Sequence, residues 1–209
     1  MEGKENRIGS IIIVVTYAVG ILGFALDLTK EIFSFLVPFH LLMVFGILLW
    51  EHKHWDLRFI LFLILTFFIS FSAEFIGVHT GILFGDYNYG NVLGFKIGEV
   101  PIMIGINWIM LVYITNSISE KITKNFFYST LLAASIMTFL DYVMEPGAVL
   151  LDFWSWEIGI IPFYNYVCWF ILSLGLIFMA KILKVESNVK LSTVSIISQF
   201  VFFLALRLY

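Results

Sequence analysis

Residues 57–76 read LRFILFLILTFFISFSAEFI, and the only ionisable side chains in this stretch are Arg58 and Glu74. A helix needs about 20 predominantly apolar residues to cross the hydrocarbon core of a bilayer. The stretch is therefore predicted to be a membrane-spanning helix that carries one acidic side chain near its end.

The composition of the whole chain agrees with a membrane location. Its 209 residues are 61% hydrophobic, 18% aromatic and 13% charged, and the mean hydropathy is +0.99. Soluble domains are about 45–50% apolar and about 25% charged, so the composition excludes a soluble enzyme and a disordered chain. The net charge of −3, without a basic block, also excludes a nucleic-acid partner. The single cysteine, Cys168, excludes an internal disulfide.

Six further stretches are similar in length and apolar content, and short polar breaks separate them. We therefore predict an all-α integral membrane protein in which residues 1–209 form one domain, a bundle of about seven transmembrane helices in the lipid bilayer. No internal repeat of the kind found in many transporters is visible in the sequence. The predicted spans are residues 8–26, 32–50, 57–76, 100–116, 126–144, 160–183 and 191–209.

The distribution of Lys and Arg predicts the orientation. Of the 12 such residues, nine lie in the N-terminal tail and the second, fourth and sixth loops, and three lie on the opposite side. Positive residues accumulate in cytoplasmic loops, so we expect a cytoplasmic N-terminus and an external C-terminus in the cell (inner) membrane. The first span is longer than the apolar core of a signal peptide and no cleavage site follows it, so it is expected to stay uncleaved.

Four carboxyl groups are predicted at a similar depth near the outer surface. Glu74 lies near the end of span three, and Glu99 precedes span four. Asp141 and Glu145 share one face of span five at an i, i+4 spacing. An ionisable side chain inside a membrane costs roughly 2.5–3.5 kcal/mol and is a functional candidate by default. A buried carboxyl that keeps its proton is suited to act as a general acid.

Structural roles stay open for three of these acids. Glu99 also suits the N-terminus of a helix electrostatically. Asp141 and Glu145 are candidates for a salt bridge to Lys96, whereas Glu74 has the fewest structural explanations.

Aromatic side chains are concentrated around these acids. Many fit an ordinary interfacial belt, but their π faces also attract cations. The glycine-rich loop 77–98 lacks phosphate-loop spacings and is predicted to fold back over a cavity. The aromatic group consists of Tyr87, Tyr89, Trp108, Tyr142, Phe153, Trp154, Trp156, Tyr164, Tyr166 and Trp169.

Three other classes of membrane protein fit the sequence less well. A retinal protein needs a lysine in its last span, where Arg207 is the only charged residue. A membrane prenyltransferase needs paired Asp-rich motifs, and Asp141-x-x-x-Glu145 is at best half of one. Only His40 and His79 lie in or near the membrane, so we predict no metal site, and a site of these two histidines with Glu74 stays as an alternative.

Several short motifs lie between residues 74 and 169. They are Glu74, Gly81-x-x-Phe84-Gly85-x-Tyr87-x-Tyr89, Leu93-Gly94, Val100-Pro101 with Trp108, Asp141-x-x-x-Glu145-Pro146, Trp154-x-Trp156 and Pro162-x-x-Asn165-x-x-x-Trp169. Together they resemble the motifs of a carotenoid biosynthesis family, the membrane carotenoid hydratases of bacteria and archaea, which includes carotenoid 1,2-hydratase-like and bisanhydrobacterioruberin hydratase-like members. The flanking spans share only hydropathy with this family.

The resemblance implies a carotenoid hydratase that works without a cofactor. Such an enzyme adds water across the terminal, isopropylidene-type C=C of an acyclic carotenoid end group and forms a tertiary alcohol. A carboxylic acid would protonate the less substituted carbon, and water would trap the tertiary carbocation. The substrate would be lycopene-like or γ-carotene-like, or a C50 carotenoid. A carotenoid end-group cyclase and a non-enzymatic carotenoid-binding or small transport protein stay as alternatives.

On this hypothesis Glu74 or Asp141 donates the proton and Glu145 activates water. Glu99 and Asp86 are further catalytic candidates, and Asp86 and Asn165 would position water or the loop. The residues expected to contact substrate are Tyr87, Tyr89, Trp108, Tyr142, Trp154, Trp156, Asn165 and Trp169.

Overall fold

The computed structural model describes residues 2–157, 159–186 and 188–208, with side chains from residue 7 onward. Within these ranges seven helices are long and apolar enough to cross a membrane, which confirms the predicted all-helical, multi-pass membrane protein. The side of the membrane that each terminus faces stays a prediction, and Tyr209, the predicted end of the last span, lies outside the described residues. The helices are α1 (Glu2–Ala25), α2 (Lys30–Trp50), α3 (Leu57–Thr80), α4 (Ile102–Ile122), α5 (Phe126–Leu150), α6 (Phe163–Ile182) and α7 (Val189–Ala205), which continues into a 3₁₀ turn (Leu206–Leu208).

Polar residues between the apolar stretches begin and end the helices. The side chains of Asp56, Asn125 and Asn188 accept hydrogen bonds from backbone N–H groups in the first turns of α3, α5 and α7. Gly81 follows α3 at φ +65°, a left-handed conformation that favours a residue without Cβ. The helix boundaries therefore follow from local chemistry as well as from hydropathy.

Helix α4 lies at the centre of the bundle. In its most apolar window 72% of the residues are buried, against 17% for α2. It packs against α2, α3, α5, α6 and α7, and the ring of Phe67 lies close to the backbone of α4 at Gly105. Side chains of α4 such as Trp108, which is fully buried, therefore face protein on nearly every side.

The predicted start of span four is wrong by two residues. The span was expected to begin at residue 100, with Glu99 at its N-terminus. The structure instead pairs Val100 and Pro101 with a neighbouring strand, and α4 begins at Ile102. Glu99 adopts φ +64° in the tight turn before Val100, so it belongs to a hairpin and not to the first turn of the helix.

Helix α5 continues six residues beyond the predicted end of span five at residue 144, through Pro146. Proline has no N–H for the carbonyl four residues earlier, which here is the carbonyl of Tyr142. That carbonyl lies 3.2 Å from Nη2 of Arg207, which donates to it and also to the Val143 carbonyl at 3.1 Å. A side chain from the end of α7 thus supplies the donor that the proline lacks.

A two-stranded antiparallel ribbon joins the two long loops at one end of the bundle, and no strand was predicted in either loop. Strand β1 (Tyr87–Tyr89) pairs with β4 (Trp154–Trp156), so that Tyr87 lies opposite Trp156 and Tyr89 opposite Trp154. Strands β2 (Lys96–Ile97) and β3 (Val100–Pro101) form a separate short hairpin. We call the end of the bundle that carries both pairs, where α3 and α5 finish and α4 and α6 begin, the ribbon end.

Gly90 holds the loop after β1 against the residues before β4, and we expect Gly90→Ala to destabilise the protein. The Gly90 N–H donates to the Phe153 carbonyl at 2.9 Å, and a Cβ on Gly90 would overlap the carbonyl oxygen of Asp152. Overpacking of this kind lowers the free energy of unfolding by about 1–3 kcal/mol. Thermal unfolding of the detergent-purified protein should therefore begin at a lower temperature. Gly175→Ala, at a helical position open on all sides, should cause no such loss, and equal melting of both variants would contradict the packing described.

Candidate active site

Three of the predicted carboxyl groups converge in the interior at the ribbon end. Glu74, Asp141 and Glu145 are 3%, 1% and 1% exposed. Glu74 is carried by the last turns of α3, and the i, i+4 spacing places the other two on one face of α5.

Glu74 accepts hydrogen bonds from three aromatic side chains. The hydroxyls of Tyr87 and Tyr89 donate to Oε2 at 2.5 and 2.7 Å, and the indole N–H of Trp108 donates to Oε1 at 2.9 Å. Both carboxyl oxygens are therefore occupied. Because hydrogen bonds to the charged form of a carboxyl favour it, this set of donors suits a carboxylate.

The two tyrosines remain donors under ordinary conditions. Burial raises the pKa of Tyr87 and Tyr89 above the usual value for a phenol, and the nearby charge of Glu74 raises the pKa of both further. Their hydroxyls therefore stay protonated and continue to donate to Glu74 at any physiological pH.

Glu145 is held in the same way by the opposite strand of the ribbon. The indole N–H groups of Trp154 and Trp156 both donate to Oε2 at 2.9 Å. Alternate residues of a strand point to the same face, so the paired strands present two phenols and two indoles to the interior. The intervening residues, Asn88 and Ser155, are exposed. The ribbon therefore fixes Glu74 and Glu145 at once.

Asn165, near the start of α6, links the two carboxyls of α5. Its Nδ2 donates to Oδ2 of Asp141 at 2.9 Å and to Oε1 of Glu145 at 3.2 Å. The amide has two hydrogens, one for each acceptor. Among the described residues, none forms a hydrogen bond with the other oxygen of Asp141, Oδ1, which is fully buried. Asp141 is thus the least satisfied of the three carboxyls.

No cationic side chain of the described residues forms an ion pair with these carboxyls. The salt bridge considered between Lys96 and the acid pair is not formed, because Nζ of Lys96 donates to the Tyr89 carbonyl at 2.7 Å. Nδ1 of His79 lies 2.8 Å from the carbonyl oxygen of Phe75, and the His79 ring stacks on the ring of Phe75. Neutral donors alone therefore compensate the buried acids.

A small cavity of about 20 Å³ lies between the three carboxyls. A site needs roughly 10–15 Å³ and two to four polar partners to hold a water molecule, and this cavity meets both conditions. Its lining consists of Glu74, Phe84, Tyr87, Tyr89, Ile104, Asn107, Asp141, Met144, Glu145, Trp154, Trp156, Asn165 and Trp169.

A much larger apolar groove of about 380 Å³ adjoins this cavity. It runs between α1, α2, α4 and α7, and its volume falls in the range of about 300–1,000 Å³ typical of small-molecule sites. Ile104, Asn107, Met144 and Trp154 line both spaces. The groove is also lined by Leu36 and Phe39 of α2, which are exposed on the outside of the bundle. An elongated apolar molecule can therefore extend from the lipid toward the carboxyls.

The structure separates three of the predicted site residues from this cluster. Glu99 is exposed in the turn between β2 and β3. Tyr142 is 53% exposed and contacts the ring of Tyr166 on the outside of the bundle. The Asp86 carboxylate lies beside Gly81, where the loop leaves α3, and its backbone carbonyl accepts from Glu157. Neither Glu99, Tyr142 nor Asp86 lines the cavity.

The remaining predicted residues line the cavity, except Trp108, which reaches the site through its hydrogen bond to Glu74. Trp169 stacks on Trp108 with ring centres 4.2 Å apart, and both rings are buried. Asn107, which the sequence analysis did not single out, joins the cavity to the groove. Its signal was its position inside a predicted span, where an amide side chain is costly to bury without a hydrogen-bond partner. In the part of the chain that the structure describes, no three His, Cys, Asp or Glu residues form a group arranged to hold a metal ion.

The fold and the site together define a multi-pass membrane protein with a hydrogen-bonded carboxyl cluster at the end of an apolar groove. The sequence matches the family described as carotenoid biosynthesis protein over residues 32–209, and the chain belongs to that family. Its role therefore lies in carotenoid metabolism, as the motifs of residues 74–169 had implied.

One characterised relative is similar over part of the chain. Over 108 residues the chain is 31% identical to bisanhydrobacterioruberin hydratase of Haloarcula japonica, an alignment that covers 48% of this chain and 37% of that protein. The match thus spans little more than a third of the relative's length. No solved structure matches the chain.

Proposed function

We propose that the protein is a carotenoid hydratase that adds water across the terminal C=C of an acyclic carotenoid end group. One observation carries this proposal: three buried carboxyls surround a water-sized cavity at the end of an apolar groove, and one of their oxygens has no partner in the part of the chain that the structure describes. Water, a proton donor and an apolar chain can meet there. Family membership supports a carotenoid substrate, and the similarity to a hydratase supports the addition of water.

The polyene would lie in the groove with its end group at the carboxyls. Met144 and Trp154 line the junction between groove and cavity, so a chain end that reaches them adjoins the acid pair. The cell membrane, with the ribbon end outside, is the location that the Lys and Arg distribution favours.

Asp141 is the candidate for the general acid. Two adjacent negative charges in a buried site without a cation are unfavourable, so one member of the Asp141–Glu145 pair is expected to carry a proton. Glu145 accepts from three N–H groups and Asp141 from one. The proton is therefore assigned to Oδ1 of Asp141, the oxygen with no partner among the described residues.

The first step moves that proton to the less substituted carbon of the double bond. The π electrons form the new C–H bond, the O–H bond of Asp141 breaks, and a positive charge remains on the tertiary carbon. The Glu74 carboxylate, fixed by three donors, would stabilise this charge electrostatically. The ring of Trp169, which lines the cavity and is backed by Trp108, would add the attraction between a cation and a π face.

The second step adds water to the cation. A lone pair of water forms the C–O bond while Glu145 accepts one of the water protons, which leaves a neutral tertiary alcohol. The proton on Glu145 returns to Asp141, which the shared Asn165 amide keeps adjacent. The cycle consumes one water molecule and transfers no electrons, so this scheme needs no redox cofactor.

Substitution of the two ribbon tryptophans tests whether the reaction depends on their indole N–H groups or on their aromatic ring faces. Trp154→Phe and Trp156→Phe each keep an aromatic face but remove one donor to Glu145. A hydrogen bond to a charged group contributes about 1.5–3 kcal/mol, so each variant should lose roughly tenfold or more in hydration rate. Trp50→Phe, at an exposed position on α2, should behave like wild type. Unchanged rates in both ribbon variants would show that only the ring faces matter.

Expression in cells that accumulate lycopene tests the proposed function. We expect a new carotenoid heavier than lycopene by one water molecule, detected by mass spectrometry of the extracted pigments. A ring-closed isomer of unchanged mass would identify a cyclase. Lycopene that is bound and recovered unchanged would indicate a carotenoid-binding protein, and either result would overturn the proposal.

A further inference from the structure

The apolar groove contains a second group of polar side chains, remote from the carboxyls, that the proposed reaction does not use. We define the mid-groove cluster as Thr16 and Tyr17 of α1, His40 of α2 and Gln199 of α7, all of which line the groove. Tyr17 and Gln199 are buried, and the rings of Tyr17 and His40 meet edge-on with centres 4.6 Å apart.

Depth along α7 separates this cluster from the carboxyls. Arg207 contacts the carbonyls of Tyr142 and Val143, which lie between Asp141 and Glu145 in α5. Gln199 precedes Arg207 by eight residues, roughly two helical turns, so it lies deeper in the bundle than the carboxyls. The mid-groove cluster therefore faces a different part of any chain whose end reaches the carboxyls.

Hydrogen bonding around His40 leaves an acceptor in the cluster. The Thr16 hydroxyl donates to the carbonyl of Ile12 at 2.9 Å or of Ile13 at 3.1 Å. Its oxygen is then an acceptor for Nε2 of His40, 3.2 Å away. A neutral imidazole that carries its proton on Nε2 has an unprotonated Nδ1, so His40 presents a lone pair.

Gln199 supplies an unused donor. The side chain is 4% exposed, and within the described part of the chain its Nε2 forms no hydrogen bond of acceptable geometry. The Tyr17 hydroxyl interacts with the Gln199 side chain, but one hydrogen bond to it would leave the second N–H of the amide free. A buried N–H without an acceptor is unfavourable and rare, and this one lines a groove large enough for a ligand.

We propose that the mid-groove cluster binds a hydroxyl or carbonyl oxygen carried by the chain that occupies the groove. Gln199 would donate to that oxygen, and His40 would accept from it where it is a hydroxyl. The ligand class is then an oxygenated acyclic isoprenoid whose oxygen lies along the chain and not at the reacting end, preferred over the plain hydrocarbon. The inference rests on the proposed function only in that the groove holds the carotenoid chain.

A competition experiment tests this preference. Detergent-purified protein is incubated with equal amounts of lycopene and an acyclic carotenoid that bears a mid-chain keto group, and the bound pigments are extracted and quantified. One neutral hydrogen bond corresponds to about a two- to tenfold enrichment of the oxygenated carotenoid. Gln199→Leu should abolish the enrichment while lycopene still binds, and Gln199→Met serves the same purpose where the leucine variant does not fold.

Ser192→Ala is the matched control. Ser192 lies on the same helix and is fully buried, and its hydroxyl has no partner within the described ranges, but it does not line the groove. The control should keep the wild-type enrichment. Equal binding of both pigments by wild type, enrichment that persists in Gln199→Leu, or retention of neither pigment would overturn the inference.

Hydration of lycopene, assayed in the same preparations, distinguishes the two proposals. Water addition without enrichment refutes the mid-groove site alone. Enrichment without water addition refutes the hydratase and leaves the binding site standing.

Discussion

Asp141→Asn is expected to reduce the hydration rate by about 10²–10⁴-fold, the contribution of a positioned general acid. The substitution removes the transferable proton and little else. An asparagine can keep its oxygen toward Nδ2 of Asn165, 2.9 Å away in the wild type, and its amide can donate to water in the adjoining cavity. The variant should therefore fold, and its rate of product formation in isolated membranes reports on the proton alone.

Glu157→Gln is a suitable control for this experiment. Glu157 follows β4 at the same end of the bundle, but its side chain is exposed. Its substitution should leave the rate within about twofold of wild type, because an exposed group contributes little to a buried site. If Asp141→Asn hydrates lycopene within tenfold of wild type while remaining monodisperse, another group is the acid.

Glu74→Gln is expected to have the second largest effect, a loss of roughly 10²–10³-fold, comparable to the removal of one electrostatic contact to a transition state. The glutamine oxygen can accept from the Trp108 indole, which can only donate. Its amide can donate to the hydroxyls of Tyr87 and Tyr89, which can also act as acceptors. The variant therefore keeps the contacts of Glu74 and loses its charge.

Glu74→Leu provides the comparison that separates charge from structure. Leucine would leave three buried donors without an acceptor, at about 1–3 kcal/mol each. We expect this variant to unfold at a clearly lower temperature, whereas Glu74→Gln should melt close to wild type. A glutamine variant that is both stable and fully active would contradict the assignment of Glu74 as the charge that stabilises the cation.

The helices could be predicted from the sequence because each requirement is local. About 20 apolar residues suffice for a span, and the i, i+4 spacing of Asp141 and Glu145 sufficed to place both on one face. The structure brings both acids to the same amide of Asn165. The start of α4 could not be located as accurately, because hydropathy does not distinguish a strand residue such as Val100 from a helical one.

The ribbon could not be predicted, because its two strands lie far apart in sequence and each contains three residues. In the sequence, Tyr87-x-Tyr89 and Trp154-x-Trp156 were visible only as aromatic pairs. Their π faces were expected to attract a cation. The structure shows that all four also act as donors, two to Glu74 and two to Glu145. Pairing partners depend on the tertiary fold, whereas alternation within a strand does not.

The position of Glu99 was misjudged for a different reason. A carboxyl before a proline suits a helix N-terminus, and that pattern is the same whether the proline begins a helix or ends a hairpin. Glu99 instead follows Gly98 in a turn in which both residues have positive φ, at +64° and +53°. Each strand of this hairpin contains only two residues, too few to show the alternation of apolar and polar side chains from which a strand is predicted.

The most direct test of the central claim is the incorporation of oxygen from labelled water. Purified protein in detergent is incubated with lycopene in water enriched in oxygen-18, and the pigments are analysed by mass spectrometry. A hydratase that traps a cation with water predicts a tertiary alcohol that carries the heavy isotope, absent in Asp141→Asn and present in Glu157→Gln. Recovery of lycopene or of an unlabelled isomer alone, from protein that is folded and binds the pigment, would contradict the account.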